Sequence, residues 1–348
     1  MTDIDPTAPV LVTGGSGFIA GHCILQLLAQ GRPVRTTLRS LAREAEVRTV
    51  LAEAGVRELG RLEVVAADLD ADAGWDEAVR GTAGVLHVAS PVTPGHVEEE
   101  DELIVPAREG ALRVLRAARD ARVPRVVLTS AFHAVGFGHG RVDHVFTEDD
   151  WSPLDGPGMD AYGRSKVLAE RAAWDDVRVH GGPELVTILP VAVLGPVMGD
   201  AVSGTNRLLQ RILTGALPGF PDLAIPFVDV RDVAAAHIAA LDRPEAAGLR
   251  VLVASQDVAT PLREVGAVLR EALGDAAHAV PTRNIPSILI RAGAAVRPEM
   301  REIAPELGYV KRLSTARARD VLGLTPRPWT EAVVAGARSM IDKGLVEA

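Results

Sequence analysis

The sequence predicts an α/β fold: a doubly wound parallel sheet with a smaller, mostly helical C-terminal lobe. Three observations carry that reading. Between Val10 and Pro190, apolar runs of strand length alternate with helical patterns across short connections. The first run ends in a glycine-rich turn that passes at once into a helix. Gly195 to Gly204 is rich in Gly and Pro, and from Pro261 onward helical patterns such as Leu262 to Leu273 and Ala316 to Leu322 alternate with prolines. The expected division is a sheet domain of about residues 1–190 plus 228–256, and a substrate lobe of about 191–227 plus 257–348.

Val10-Leu11-Val12 reads as the first strand, and Ile19, Cys23, Leu27 and Leu28 mark one face of the first helix. Between them, Gly14 can take backbone angles closed to other residues, and Gly17 leaves no side chain between the backbone and a pyrophosphate. The small Ala20 and Gly21 let the helix lie close to the strand. Free N–H groups and the positive end of the helix dipole then face the phosphates of a dinucleotide. Gly14, Ser16, Gly17, Phe18 and Ile19 are the candidate contacts.

Val34 to Arg39 reads as the second strand, and its last residue bears on the cofactor. A carboxylate about 20 residues past the glycines binds the ribose 2′-hydroxyl of NAD, whereas an arginine there suits the 2′-phosphate of NADP. Arg39 holds that place, with Arg43 four residues on and no acid until Glu44. NADP(H) is the expected cofactor. Leu62 to Ala67, Val85 to Ala89, Arg125 to Ser130 and Leu185 to Pro190 read as strands three to six, and Ala107 to Arg122 as an amphipathic crossover helix. The acidic run Glu98 to Glu102 reads as a solvated helix start.

Tyr162 and Lys166 stand four apart at the start of a helical run, so both fall on one face. An ammonium near a phenol favours the phenolate and is expected to lower the tyrosine pKa from about 10 toward working pH, making Tyr162 a proton donor to a carbonyl oxygen.

The glycine spacing 14, 17, 21, with Ala20 beside it, and the Tyr162-Gly-Arg-Ser-Lys166 motif resemble the extended short-chain dehydrogenase/reductases of the NAD-dependent epimerase/dehydratase superfamily. The likeness is nearest to their dihydroflavonol-reductase-like aldehyde and ketone reductase branch, and its motifs cover roughly the first 240 residues. It implies a Rossmann fold, with Tyr162 as general acid and Lys166 also holding the nicotinamide ribose. It places Asp68 and Leu69 beside the adenine, although Asp68 reads equally well as a turn cap. It sets Val88, Ala89 and Ser90 under the ribose and nicotinamide, makes His87 a strand residue, and adds Thr129 to the cofactor site. Pro190 and Val191 would contact the carboxamide through backbone. Asp229 and Asp232 read as cap and structural residues, and His237 as packed.

One position departs from that branch. Its fifth strand ends Thr-Ser-Ser, the second serine holding the carbonyl oxygen, whereas this chain runs Thr129-Ser130-Ala131-Phe132-His133. Ser130 would point away unless the strand bulges. Ser130 and, in the following loop, His133 are the candidate replacements for a donor whose loss typically costs ~10²–10³ in rate.

With 348 residues, 47% hydrophobic and 24% charged, the composition is globular. A net charge of −9 and 3% aromatic residues argue against a nucleic-acid partner. The single Cys23 cannot form an internal disulfide, and the acidic Met1 to Pro6 lacks the order of a signal peptide, so the expected location is cytoplasmic. No run is long enough to span a membrane; Ile285 to Val296 is short, contains Arg291, and reads as a packed helix. No metal-ligand spacing is present. The expectation is an NADPH-dependent carbonyl reductase acting on a small-molecule ketone or aldehyde, as a monomer or homodimer. The alternatives are a nucleotide-sugar epimerase or dehydratase, and a catalytically weakened NADP-binding sensor.

Overall fold

Side chains of a strand alternate between faces, and the first strand shows what that does here: Val10 and Val12 enter one hydrophobic core while Leu11 enters another. Two cores on opposite faces require helices on both. The computed structural model describes residues 7–91 and 99–346, apart from the side chains of 298 and 299. The acidic N-terminal stretch 1–6, the start of the acidic run at Glu98 and the last two residues lie outside the described residues.

Seven strands, β1 (Val10–Val12), β2 (Val34–Leu38), β3 (Leu62–Ala66), β4 (Gly84–His87), β5 (Arg125–Thr129), β6 (Glu184–Pro190) and β7 (Arg250–Val253), form one parallel sheet. Their order is β7-β6-β5-β4-β1-β2-β3. The order reverses between β1 and β4, which opens a crevice beyond their C-terminal ends, the usual ligand site of such sheets. β4 ends at His87, so Val88 and Ala89 belong to the loop rather than to the strand. The crossover helix spans Asp101–Asp120, six residues earlier than the periodicity places it and with Pro106 inside.

The helices Phe18–Ala29 and Val230–Asp242 feed the core containing Val10, Val12 and Val127. Asp101–Asp120 and Ala161–His180 feed the core containing Leu11, Val126 and Leu128. A third core joins Leu194, Leu209, Phe227, Leu262, Leu269, Val333 and Met340. It lies among the helices Asn206–Leu213, Leu262–Leu273 and Trp329–Asp342. A short parallel pair, Ala192–Leu194 with Phe227–Asp229, leads from the sheet into that region and back.

Two expectations need correction. Gly21 does not serve the approach of helix to strand: a Cβ there would meet Met198 Cε at 2.5 Å, so the glycine makes room for that side chain. The run 285–296 forms the helix Ser287–Gly293, but only Ile290 is buried; Ile288 and Leu289 are 73% and 61% exposed. Cys23 is buried, and desolvation pushes its thiol well above the usual range, so it is inert. Among the described residues no helix is long and apolar enough to cross a membrane, and no three His, Cys, Asp or Glu are grouped to hold a metal.

Candidate active site

The glycine turn is built for close approach. Gly14 has φ +73°, and a Cβ there would lie 3.0 Å from Ala89 Cβ. Its N–H donates to Thr37 Oγ1 at 2.9 Å, and Gly15 N–H to Thr37 O at 3.0 Å, which fixes the turn to the end of β2. The helix Phe18–Ala29 begins at Gly17 with no side-chain cap and no acid in its first turn. Its N–H groups and positive end are thus open to an anion. Ser16 and Gly17 are exposed, Phe18 and Ile19 half-buried.

Two residues past Thr37, Arg39 is exposed and makes no ion pair or hydrogen bond among the described residues. Arg43 donates to Ser16 Oγ at 3.2 Å and pairs with Glu46 at 2.7 Å. The Arg43 guanidinium therefore touches the turn, while Arg39 stands just past the end of β2. A dinucleotide carrying a 2′-phosphate fits this cradle: room for backbone approach, an uncapped helix start, and in Arg39 a cation with no partner among the described residues.

The crevice's other wall is stitched to the first. Thr13 Oγ1 accepts from the N–H groups of Val88 and Ala89 at 3.0 and 2.9 Å, so its proton goes to His87 Nδ1, 2.9 Å away. His87 is buried and held neutral, its pKa lowered to about 3 by desolvation and by Lys166. Asp68 acts as the turn cap that the sequence left open: its Oδ1 accepts from Asp70 N–H at 3.2 Å. Leu69 packs against Gly110. Pro190 ends β6, and the Val191 N–H is already donated to Val253 O at 3.2 Å.

Asp160 caps the helix Ala161–His180, accepting from Gly163 N–H at 2.7 Å. One turn apart on that helix, Tyr162 is half-buried and Lys166 buried. The Lys166 ammonium donates to Ser90 Oγ at 3.0 Å and sits 5.5 Å from the Tyr162 ring centre. Burial lowers the lysine pKa to about 8, with Glu170 opposing. The Tyr162 hydroxyl has no hydrogen bond among the described residues. Its pKa is pushed up to about 12 by burial and by Asp160, the reverse of the expected lowering. Desolvation disfavours the charged phenolate, and the carboxylate of Asp160 repels it.

At the end of β5 no hydroxyl is left over. Thr129 Oγ1 donates to His237 Nε2 at 2.7 Å, because His237 Nδ1 gives its proton to Val233 O. Ser130 Oγ donates to Glu170 Oε2 at 2.7 Å in the interior, as the unbroken strand alternation requires. Ser130 therefore does not replace the missing serine. Ala131 is buried and extended, at φ −157° and ψ 158°. His133 instead meets the Tyr162 ring edge to face at 5.0 Å.

Sequence reasoning missed the partners that set this geometry. Asp160 carried a signal, an N-cap residue ahead of the helical run. Glu100, expected to be solvated, binds Arg164 of the helix Ala161–His180 through both oxygens at 2.6 and 2.7 Å. Lys311 is buried with its ammonium 4.3 Å from the Phe137 ring centre and paired with Glu306; no local pattern marks it.

A family model described as the NAD dependent epimerase/dehydratase family matches residues 10–254. Tetraketide alpha-pyrone reductase 2 of Arabidopsis thaliana is 35% identical over 251 residues, 70% of this chain and 77% of that protein. Dihydroflavonol 4-reductase of Zea mays is 33% identical over 270 residues, 75% and 73% of the two chains. In structure, the yeast methylglyoxal/isovaleraldehyde reductase Gre2, solved with NADPH, superposes with a TM-score of 0.76 at 24% identity, covering 97% of this chain and 100% of that one. The protein belongs to the NAD-dependent epimerase/dehydratase family, among the extended short-chain dehydrogenase/reductases.

Proposed function

We propose that the protein is an NADPH-dependent reductase of ketones or aldehydes. The observation that carries this reading is the Tyr162–Lys166 pair: a phenol with no hydrogen bond among the described residues, kept protonated, beside a buried amine at the mouth of the crevice. The relatives named as a tetraketide alpha-pyrone reductase and a dihydroflavonol 4-reductase support the reductase part of this reading. Residues 191–227 and 257–348 form the lobe that covers the substrate in this reading.

The bound reduced nicotinamide supplies the hydride to the carbonyl carbon. Gly14, Gly17 and the uncapped helix start receive the pyrophosphate, and Arg39 with Arg43 the 2′-phosphate. Lys166, steered by Ser90, holds the nicotinamide ribose. Tyr162 donates its proton to the carbonyl oxygen as the alkoxide forms. A phenol with a raised pKa suits that direction, because it carries the proton throughout the neutral range and the alkoxide is a far stronger base.

The test is a panel of diverse ketones and aldehydes with NADPH and NADH in parallel, on wild type and Tyr162→Phe. Carbonyl-dependent NADPH oxidation that disappears in the variant is expected. Conversion of UDP- or dTDP-sugars with tightly retained NAD would replace this reading with an epimerase or dehydratase. Tight NADPH binding without turnover on any carbonyl would leave a sensor.

A further inference from the structure

We infer that His133 takes over from the absent serine: its ring N–H donates to the substrate carbonyl oxygen beside the Tyr162 hydroxyl. The inference rests on the reductase reading above and names the second donor that reading lacks.

The end of β5 cannot supply it. Thr129 and Ser130 give their protons to His237 and Glu170, and Ala131 has none to give. His133 follows two residues later in the short 3₁₀ turn Phe132–Ala134. Two rings fix its plane: it stacks on Phe137 at 4.0 Å and 9°, and meets Tyr162 at 5.0 Å and 82°. A side chain locked by packing loses little freedom when it binds, which is what a preorganised donor requires.

Its nitrogens are also unspent. Each of the other described histidines that is buried or half-buried, namely His22, His87, His139 and His237, commits at least one ring nitrogen to a protein group. His133 commits neither to any described residue and is half-buried rather than sealed. Burial lowers its pKa to about 4; the charge of Asp160 opposes this, and the charges of Lys311 and Lys166 add to it. The imidazole is then neutral at working pH and presents one N–H and one lone pair. No charge needs to be neutralised for the N–H to face a carbonyl.

The experiment compares wild type, His133→Phe, Ala131→Ser and the double variant, with NADPH and a carbonyl substrate taken from the panel. Phenylalanine keeps the stack and removes the donor. The expected results are a fall in kcat of about 100-fold for His133→Phe, an NADPH dissociation constant unchanged within about twofold, and recovery of at least about tenfold when Ala131→Ser is added. The rescue separates a lost donor from a damaged fold, since a serine hydroxyl repairs only the first. A His133→Phe enzyme within about twofold of wild type, or one that Ala131→Ser fails to rescue, overturns the assignment while an inactive Tyr162→Phe leaves the reductase reading standing. A wild type that reduces no carbonyl overturns both.

Discussion

One helix, Ala161–His180, carries two kinds of buried polar site, and they differ in what is left over. At its start, among the described residues, the Tyr162 hydroxyl binds none and the Lys166 ammonium makes a single bond, to Ser90. Two turns later, Glu170 is saturated. Its oxygens accept from Ser130 and Thr187 hydroxyls at 2.7 Å, from Arg250 at 2.8 and 3.2 Å, and from Trp174 at 3.3 Å. Arg250 in turn stacks over Trp151 at 3.7 Å and binds the carbonyls of Glu148 and Asp150. A saturated network stabilises the fold and has nothing left with which to meet a ligand; a group with unspent capacity contributes little to stability and is available for chemistry.

That contrast can be broken by substitution. The largest effect is expected at Tyr162→Phe: turnover falls by about 10³–10⁴, within the span of general acid catalysis, while the urea midpoint stays put. Glu170→Ala should do the opposite. It strands Arg250, so unfolding free energy measured in urea falls by about 3–5 kcal/mol. A Tyr162 variant that loses stability like Glu170→Ala would erase the distinction.

Smaller effects sharpen it. Lys166, with a pKa of about 8, is charged below that value and neutral above, so kcat/KM should fall as pH rises through about 8. Lys166→Arg, which stays charged, should flatten that fall whatever its absolute rate. Arg39→Ala should weaken NADPH binding about tenfold and leave NADH nearly untouched, as read by nicotinamide fluorescence titration. Equal losses for both cofactors would mean that Arg39 does not meet the 2′-phosphate.

The sequence made the frame legible because the frame is local. Strands at Val34–Leu38, Leu62–Ala66, Arg125–Thr129 and Glu184–Pro190 agree with the apolar runs to within a residue, and helices Leu262–Leu273 and Ala316–Leu322 fall where the periodicity places them. The direction of Ser130 followed from strand parity alone. What escaped depends on tertiary neighbours. The Tyr162 pKa rises because burial in the folded chain, with Asp160 adding to it, disfavours the phenolate. Gly21 answers to Met198, which is far away in sequence. The helix start read at Glu98 to Glu102 and the amphipathic pattern from Ala107 are one helix, Asp101–Asp120; Pro106 separates them in the sequence, since a proline reads locally as a boundary. The free nitrogens of His133 become visible only once its neighbours are placed.

The central claim is that Tyr162 enters the reaction as a protonated phenol. The chain has two tyrosines, so Tyr309→Phe leaves Tyr162 as the sole phenol, and its ionisation can be followed by phenolate absorbance in the free protein. The account predicts no phenolate signal up to about pH 10, the ordinary tyrosine midpoint, with the rise only beyond it. A one-proton rise centred near neutrality would show a phenolate ready to accept protons and would contradict it.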